Sequence, residues 1–241
     1  MSNTATVEHA GRRALVVGAS RGIGLGLVQV LLARGWQVTA TVRDSARTPQ
    51  ALAELQTQYD AALEIVELDL ASPARPAELA ASLGVQALNL LVISAGIMGP
   101  DHQRAEQASQ EETGELFDLN AMAPLRLARA LLPAMASHGV IGFVSSRMGS
   151  VSLNDSGDRE LYRASKAALN SLSCGFAINE AIPAGVGVLN LHPGWVKTDM
   201  GGEEAPVTVE QSATGLVTVL EAALGQAEQR FVDFEGQTLA W

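Results

Sequence analysis

Short runs of β-branched residues and leucine alternate along the chain with longer segments whose apolar residues recur at helical spacing. The runs interpreted as strands are 13–18, 37–42, 63–68, 88–93, 140–145, 185–191 and 230–234. The segments interpreted as helices are one that runs from Gly24 to Gly35 and those at 49–59, 73–83, 112–137, 160–182 and 208–224. Strands that alternate with helices at this interval form a parallel sheet with right-handed crossovers. The sequence therefore predicts an α/β fold, a doubly wound parallel sheet of about seven strands with helices on both faces.

The size and composition of the chain favour one packed domain. It has 241 residues and a mass of 25.2 kDa, with 47% hydrophobic and 17% charged residues. A chain of this length can bury a full core, and α/β folds of this size often remain undivided. No linker, repeat or low-complexity tract interrupts the alternation, so we predict a single domain over residues 1–241.

The charge balance and the placement of metal-ligating side chains argue against several classes of protein. The net charge is −10 and the pI is near 4.8. Because binding of nucleic acid needs a basic face, we do not expect nucleic acid as a partner. No apolar run is long enough to cross a bilayer, and residues 1–13 lack the layout of a signal peptide, so we expect a cytoplasmic protein with no membrane partner. Cys174 is the single cysteine and the four histidines are scattered, so we expect no disulfide and no metal site.

A glycine-rich segment follows the first strand and opens the first helix. Its glycines are Gly18, Gly22 and Gly24. The free N–H groups and positive dipole end of a helix N-terminus attract an anion, so this context indicates a phosphate site. Two alternatives stand beside it: a tight turn whose glycines serve packing, and the G-x-S-x-G elbow of hydrolases centred on Ser20. The elbow is disfavoured because it follows the first strand of the chain and no downstream pair of acid and histidine is apparent.

Tyr162 and Lys166 lie four positions apart in a segment with the apolar pattern of a long buried helix. At this spacing both side chains share one face of the helix. A nearby ammonium group stabilises the phenolate, so we expect Lys166 to lower the pKa of Tyr162 and make it a usable general acid or base. The alternative is an ordinary helix in which the tyrosine covers the core and the lysine reaches water.

Five motifs occur in order along the chain: G-x-x-x-G-x-G from Gly18, N-A-x-x-P from Asn120, a serine pair ending at Ser146, Y-x-x-x-K from Tyr162, and P-G-x-x-x-T from Pro193. In this order they resemble the short-chain dehydrogenase/reductase family over nearly the whole chain. The long loop before Tyr162 and the ending FVDFEGQTLAW are similar to its C-factor and sniffer-like carbonyl-reductase branch. The resemblance implies a Rossmann-type fold with a nucleotide-binding part at about 12–145 and a catalytic and substrate part at about 146–241.

The resemblance also implies the roles of individual residues. Tyr162 would donate a proton, Ser146 would hold the substrate oxygen, Lys166 would lower the tyrosine pKa and bond the nicotinamide ribose, and Asn120 would hold a water. Besides Tyr162 and Lys166, the cofactor-binding residues that it implies are Gly18, Ser20, Arg21, Gly22, Ile23, Gly24, Arg43, Asp69, Leu70, Ala95, Gly96, Pro193, Gly194, Val196 and Thr198. Ser94 stands where the family has an asparagine that ties neighbouring strands together.

The end of the second strand bears on the choice of cofactor. A free ribose 2′-hydroxyl is held there by an acidic residue, whereas a 2′-phosphate needs cations. Val42 occupies the expected carboxylate position, and Arg43 and Arg21 can clamp a phosphate, so we predict NADP(H). Asp44 is the counter-argument, since an inward carboxylate would repel that phosphate, and NAD(H) stays as the less favoured alternative.

The implied function is an oxidoreductase that transfers hydride to a ketone or aldehyde, or catalyses the reverse alcohol oxidation. The alternative is a protein that binds NADP(H) as a sensor or signalling partner without significant turnover. The loops 97–110, 148–160 and 195–206 would build the substrate pocket, and Met98, Met148, Met200 and Trp195 suggest an apolar lining. We expect a small-molecule carbonyl or alcohol substrate and a homo-dimer or homo-tetramer paired through the helices at 112–137 and 160–182.

Overall fold

The computed structural model describes residues 11–72, 75–83, 85 and 87–241. Its centre is one sheet of seven strands, and each neighbouring pair runs parallel. The strands are β1 Arg13–Val17, β2 Gln37–Val42, β3 Leu63–Glu67, β4 Leu88–Ile93, β5 Met135–Val144, β6 Gly187–His192 and β7 Gln229–Asp233. Their order across the sheet is β3-β2-β1-β4-β5-β6-β7, so the direction of winding reverses between β1 and β4. A crevice for ligands opens beyond the carboxyl ends of strands at such a point.

Helices cover both faces of the sheet, as the alternation of strands and helices predicts. They are α1 Gly22–Ala33, α2 Gln50–Tyr59, α3 Arg75–Leu83, α4 Gln110–Phe117, α5 Ala123–Leu131, α6 Glu160–Phe176 and α7 Val209–Ala223. Leu31 of α1 and Leu216 of α7 pack in the core on one face, and Leu127 of α5 and Phe176 of α6 pack in the core on the other. The doubly wound α/β fold predicted from the sequence is therefore confirmed.

The prediction of a single helix over 112–137 is wrong in two respects. The chain forms α4, then a π-helical turn at Asp118–Met122, and then α5, which begins with Pro124 in its first turn. Proline has no N–H to donate, so the regular hydrogen-bond pattern is interrupted just before it. A short 3₁₀ turn at Leu132–Ala134, which contains Pro133, then ends the helical segment, and β5 begins at Met135 instead of residue 140.

The helix expected over 160–182 is α-helical only to Phe176 and continues as a π-helical turn at Ala177–Ala181. Most other boundaries differ from expectation by one or two residues, and local conformation accounts for several of them. The first strand stops at Val17 because Gly18 has a φ of +82°. The sixth strand starts at Gly187 because Gly185 still has a turn conformation with a φ of +77°. The helix expected from residue 73 is observed from Arg75, and residues 73 and 74 lie outside the described part.

Candidate active site

The glycine segment between β1 and α1 forms a bare backbone cradle. A Cβ atom on Gly18 would lie 2.9 Å from the backbone nitrogen of Ala95, and one on Gly24 would lie 2.1 Å from the carbonyl oxygen of Gly18. No other residue fits at these two positions without moving the backbone. Helix α1 begins with no side-chain cap and no acidic residue in its first turn. Its first N–H groups are therefore available to an anion, and the cradle fits the pyrophosphate of a dinucleotide.

Arg21, in the same segment, contacts the loop that follows β6. Its guanidinium forms an ion pair with the carboxylate of Asp199, and both side chains are largely exposed. Beside this pair, the Cγ2 atom of Thr198 lies 3.4 Å from the position that a Cβ on Gly22 would occupy. The sequence gives no signal for the ion pair, which joins two loops across the mouth of the crevice. Ser20 and Ile23 are half-buried within the same segment.

The end of β2 carries the cations that were considered for a ribose phosphate. Arg43 is exposed. Asp44 does not turn inward to oppose it: one carboxylate oxygen accepts a hydrogen bond from Ala46 N at 3.0 Å, and the other lies 3.4 Å from Arg47 Nε. The carboxylate is thus held by its own turn, and Arg47 adds a cation that the sequence reasoning did not single out.

The segments after β3 and β4 flank the cradle. Asp69 is exposed and accepts a hydrogen bond from Ala71 N at 3.0 Å, while Leu70 is buried. Gly96 lies beside the proposed catalytic residues, because a Cβ atom there would be 3.0 Å from Asn120 Oδ1 and 3.4 Å from Lys166 Nζ. The end of β4, the π-helical turn and α6 therefore meet at Gly96.

The side chain of Asn120 is completely buried and already has hydrogen-bond partners at both ends of its amide. Its Oδ1 accepts from Ile97 N at 2.8 Å, and its Nδ2 donates to Ile97 O at 2.8 Å and to Ser165 Oγ at 3.0 Å. Asn120 thereby fastens the segment after β4 to helix α6, and its expected role in holding a water stays a prediction.

Tyr162 and Lys166 lie one turn apart on α6, with Lys166 Nζ 5.8 Å from the centroid of the tyrosine ring. Both are buried, and Lys166 Nζ donates a hydrogen bond to Val144 O at 3.0 Å. Burial disfavours the charged form of each group, so it raises the pKa of Tyr162 to about 12 and lowers that of Lys166 to about 8. The tyrosine pKa is thus shifted in the direction opposite to the expected one, and the charge that opposes the effect of burial is that of Arg159, not that of Lys166.

Ser146 follows β5 and begins a 3₁₀ turn at Arg147–Gly149. Its Oγ accepts a hydrogen bond from Met148 N at 3.1 Å. The hydroxyl oxygen is thus fixed by the backbone, and the hydroxyl hydrogen is left to donate to a ligand.

A buried polar network lies beneath Ser146, and the sequence reasoning missed it. Asn170 on α6 accepts a hydrogen bond from Ser145 Oγ at 2.7 Å and one from Asn190 Nδ2 at 2.9 Å. Its own Nδ2 donates to Gly149 O at 3.2 Å. Asn170 therefore joins α6 to β5, to β6 and to the turn that Ser146 begins. The available signal was its position one turn after Lys166 on the same helix face.

The loop after β6 lies over the crevice. Gly194 has a φ of +86°, and a Cβ there would lie 3.0 Å from the ring of Phe234. The carbonyl of Pro193 accepts a hydrogen bond from Ser212 Oγ at 2.7 Å, and Val196 is buried and pairs with Val207. Thr198 Oγ1 accepts from Gly201 N at 3.1 Å, which makes a compact turn at the tip of the loop.

Trp195 and Met200 are half-exposed on this loop, with 55% and 42% of their surface accessible. The Trp195 indole donates to Gly201 O at 2.7 Å, which fixes its orientation. Trp195 is thus a surface residue of the loop and does not belong to the core.

The described residues contain neither a membrane-spanning helix nor a cluster of metal ligands. None of the helices in the described ranges is long and apolar enough to span a membrane. Within the same ranges, no three histidine, cysteine, aspartate or glutamate side chains are grouped as metal ligands would be.

The strand order and the glycine cradle define a dinucleotide-binding α/β protein, and comparison with known proteins identifies its family. Residues 12–207 match the family model of the short chain dehydrogenases. The chain belongs to the short-chain dehydrogenase/reductase family, so the resemblance seen in the sequence is confirmed. The hydrolase alternative at Ser20 is thereby excluded.

Individual relatives agree with the branch that the sequence suggests. A carbonyl reductase from Pseudomonas aeruginosa PAO1, solved in complex with NADP, is 44% identical with a TM-score of 0.88, over 96% of this chain and 100% of that one. The carbonyl reductase Sniffer of Drosophila melanogaster is 31% identical with a TM-score of 0.84, over 97% of this chain and 100% of that one. The C-signal protein of Myxococcus xanthus is 37% identical over 127 residues, which are 52% of this chain and 76% of that protein.

Proposed function

We propose that this chain is an NADPH-dependent carbonyl reductase that transfers hydride to a ketone or aldehyde, or catalyses the reverse oxidation, with Tyr162 as the proton donor. The observation that carries the proposal is the burial of Tyr162 and Lys166 on one face of α6 beside Gly96, where the ends of the central strands meet. Membership of the family and the NADP bound to the Pseudomonas relative support the choice of chemistry and cofactor.

The residues that would hold NADP(H) are the glycine cradle, the N-terminus of α1 and the cations around the end of β2. Arg43 and Arg47 are both exposed there, and the carboxylate of Asp44 between them is occupied by its own turn. Guanidinium groups suit a 2′-phosphate because their fork of N–H donors matches phosphate oxygens. NADPH, when bound, supplies the hydride.

Tyr162 supplies the proton that converts the carbonyl oxygen into a hydroxyl. With a pKa of about 12 it is protonated at neutral pH and ready to donate. The carbonyl carbon gains the hydride, the oxygen takes the phenolic hydrogen, and the phenolate that remains is stabilised by the charge of Lys166. The phenolate then takes a proton from the Lys166 ammonium group, and the resulting amine takes one from solvent at neutral pH, because the pKa of Lys166 is about 8.

Ser146 and Asn120 support this step in different ways. The Ser146 hydroxyl can donate to the substrate oxygen and stabilise its developing charge, because its oxygen already accepts from Met148 N. The Asn120 amide links Ile97 to Ser165 on α6 and so keeps the segment after β4 in position beside the catalytic helix.

The test is oxidation of NADPH in the presence of a panel of ketones and aldehydes, followed by absorbance of the reduced nicotinamide. Tyr162→Phe should bind NADPH as the wild type does and lose turnover by a factor of about 100 or more. Tyr59→Phe is the matched control, because Tyr59 is the only other tyrosine and lies on α2. Substantial turnover by Tyr162→Phe would refute the proposed role.

The same assay distinguishes NADPH from NADH as the cofactor, and a carbonyl reductase from a sensor or signalling protein. Arg43→Ala should raise the NADPH Michaelis constant by about tenfold and leave that of NADH nearly unchanged, since a charged hydrogen bond is worth about 1.5–3 kcal/mol. An equal change in the Michaelis constants for NADPH and NADH would contradict the assignment of NADP(H). Tight NADPH binding with no oxidation by any carbonyl would favour a sensor or signalling protein.

The assembly that we propose is a homo-dimer or homo-tetramer formed through the outward faces of the long helices. Ile178, in the π-helical turn that ends the α6 segment, is 61% exposed, and Ala164 on α6 is also exposed. Small and apolar residues on an outward face suit a twofold contact. Sedimentation equilibrium measures the state directly, and a monomer at micromolar concentration would contradict the proposal.

A further inference from the structure

Arg159 lies at the start of α6, three positions before Tyr162, and its side chain reaches towards the loop that follows β4. Its Nη1 atom lies 3.7 Å from Met98 Sδ. It adopts a left-handed conformation, with φ of +52° and ψ of +47°, which is unusual for a residue with a long side chain. Arg159 therefore reaches from the 148–160 loop to the 97–110 loop, and both of these loops border the proposed substrate pocket.

Neither carboxylate next to Arg159 in sequence forms a salt bridge with it, although its charge helps to lower the pKa of Asp158. Asp158 accepts from Ser156 Oγ at 2.5 Å and from Arg163 Nη2 at 2.8 Å. Glu160 accepts from Ala105 N at 3.1 Å and lies 4.0 Å from Arg104. Each adjacent carboxylate is thus bound to other groups. In the part of the chain that the structure describes, Arg159 forms no salt bridge.

The guanidinium also acts on the proposed catalytic tyrosine. Its positive charge opposes the effect of burial on the pKa of Tyr162, and it is the one side-chain charge with a resolved effect on that group among the described residues. A cation close enough to act on the phenol is close enough to contact the remote part of a substrate whose carbonyl lies at Tyr162.

We propose that Arg159 is a specificity-determining residue that selects carbonyl substrates carrying a carboxylate on an apolar body. The inference rests on the proposed carbonyl reductase function and names its substrate class. Met98 and Met148 would contact the apolar part, while Arg159 would form a charge-assisted hydrogen bond with the acidic end. Such a contact matters more in an acidic protein, because a net charge of −10 otherwise repels an anionic substrate.

The experiment compares 4-carboxybenzaldehyde with its methyl ester as substrates of the full chain with NADPH. Arg159→Gln removes the charge and keeps a long side chain, and Arg159→Lys restores the charge without the guanidinium fork. We expect Arg159→Gln to lower kcat/KM for the acid by about tenfold or more, to change that for the ester by less than about twofold, and Arg159→Lys to recover part of the loss.

Arg104→Gln is the matched control, because Arg104 is a cation on the 97–110 loop that already pairs with Glu106 at 3.0 Å. It should leave the ratio of acid to ester unchanged. A ratio that is the same in the wild type and Arg159→Gln would overturn the inference while leaving the carbonyl reductase function intact.

A binding measurement separates failure of the inference from failure of the proposed function. If no carbonyl oxidises NADPH, the function fails, and titration of 4-carboxybenzyl alcohol into the NADP⁺-loaded protein decides the inference. The inference is supported if 4-carboxybenzyl alcohol binds more weakly to Arg159→Gln than to the wild type, while its methyl ester binds both proteins equally. Equal binding to both proteins, or no binding to either, overturns it.

Discussion

The hydroxyl of Ser145 donates a 2.7 Å hydrogen bond to the side chain of Asn170, which joins the segment between β5 and Ser146 to the helix that carries Tyr162. Both residues are nearly inaccessible to solvent, at 2% and 3% exposure. The same amide of Asn170 holds Gly149 O, at the end of the turn that Ser146 begins. The distance between the proposed proton donor and the proposed oxyanion-binding serine is therefore set by a residue that contacts neither substrate nor cofactor.

Replacement of Asn170 by alanine should reduce kcat by about tenfold or more and leave the NADPH Michaelis constant nearly unchanged. The turn at Arg147–Gly149 loses its tie to α6, so Ser146 no longer keeps its position relative to Tyr162. Loss of the amide also removes the side-chain partner of the buried Ser145 hydroxyl and of the Gly149 carbonyl, which costs about 1–3 kcal/mol of unfolding free energy. Steady-state kinetics well below the melting temperature, together with thermal unfolding, measure the two effects.

Ser171→Ala is the control for Asn170→Ala, since Ser171 is the next residue of α6 and is exposed. It should match the wild type in both measurements. A folded Asn170→Ala with normal kcat would show that the network serves stability alone.

The opposite pKa shifts of Lys166 and Tyr162 predict how unfolding free energy depends on pH. Lys166 loses its proton near pH 8 when folded but near 10.5 when unfolded, so the unfolded chain binds more protons between these values and stability rises with pH. Tyr162 keeps its proton to about pH 12 when folded but to about 10 when unfolded, so its contribution falls above pH 10. Each group changes the unfolding free energy by at most about 1.4 kcal/mol per pH unit.

Chemical unfolding of the protein without cofactor between pH 7 and pH 10 measures the contribution of Lys166 to the unfolding free energy. Lys166→Met should be more stable than the wild type at pH 7, with a difference that shrinks as pH approaches 10, because the buried charge is absent. Lys197→Met is the control, since Lys197 is the only other lysine and is exposed. Parallel curves for the wild type and Lys166→Met would contradict the assignment of the shift to burial.

Local sequence pattern located much of the fold because the central strands are buried on both faces. The predicted limits of β2 and β4, residues 37–42 and 88–93, coincide with the observed strands. Parallel strands of this kind form continuous apolar runs that end abruptly at polar or glycine residues. The start of β5 was missed because Met135 pairs with Leu88, a partner that is distant in sequence.

The candidate site was predicted unevenly for a related reason. Tyr162, Lys166 and the glycine cradle carry motifs whose spacing alone implies shared faces and turns. The hydrogen bonds of Asn170 and the charge of Arg159 beside Tyr162 depend on which loops meet, and no periodic pattern encodes that. The tyrosine pKa was predicted in the wrong direction because spacing reveals a neighbouring charge but not how deeply the pair is buried.

The ion pair between Arg21 and Asp199 predicts how fast the cofactor exchanges. It joins the glycine segment to the loop after β6, with Thr198 close to Gly22 beside it, so a dinucleotide in the cradle would lie beneath this ion pair. Asp199→Asn removes the pair and should raise the NADPH dissociation rate by about twofold to fivefold, because exposed ion pairs contribute about 0–1 kcal/mol. Stopped-flow displacement of bound NADPH by excess NADP⁺ measures this rate.

Two further variants serve as comparisons for Asp199→Asn. Arg21→Ala removes the same ion pair and also a cation proposed for the 2′-phosphate, so it should weaken NADPH binding more than NADH binding, whereas Asp199→Asn should affect both cofactors alike. Asp155→Asn is the control, because Asp155 is exposed on the 148–160 loop, and it should not change the dissociation rate of NADPH or of NADH. An unchanged dissociation rate in Asp199→Asn would mean that the pair does not restrict release, and a slower rate would mean that Asp199 opposes binding by withdrawing Arg21 from the phosphate.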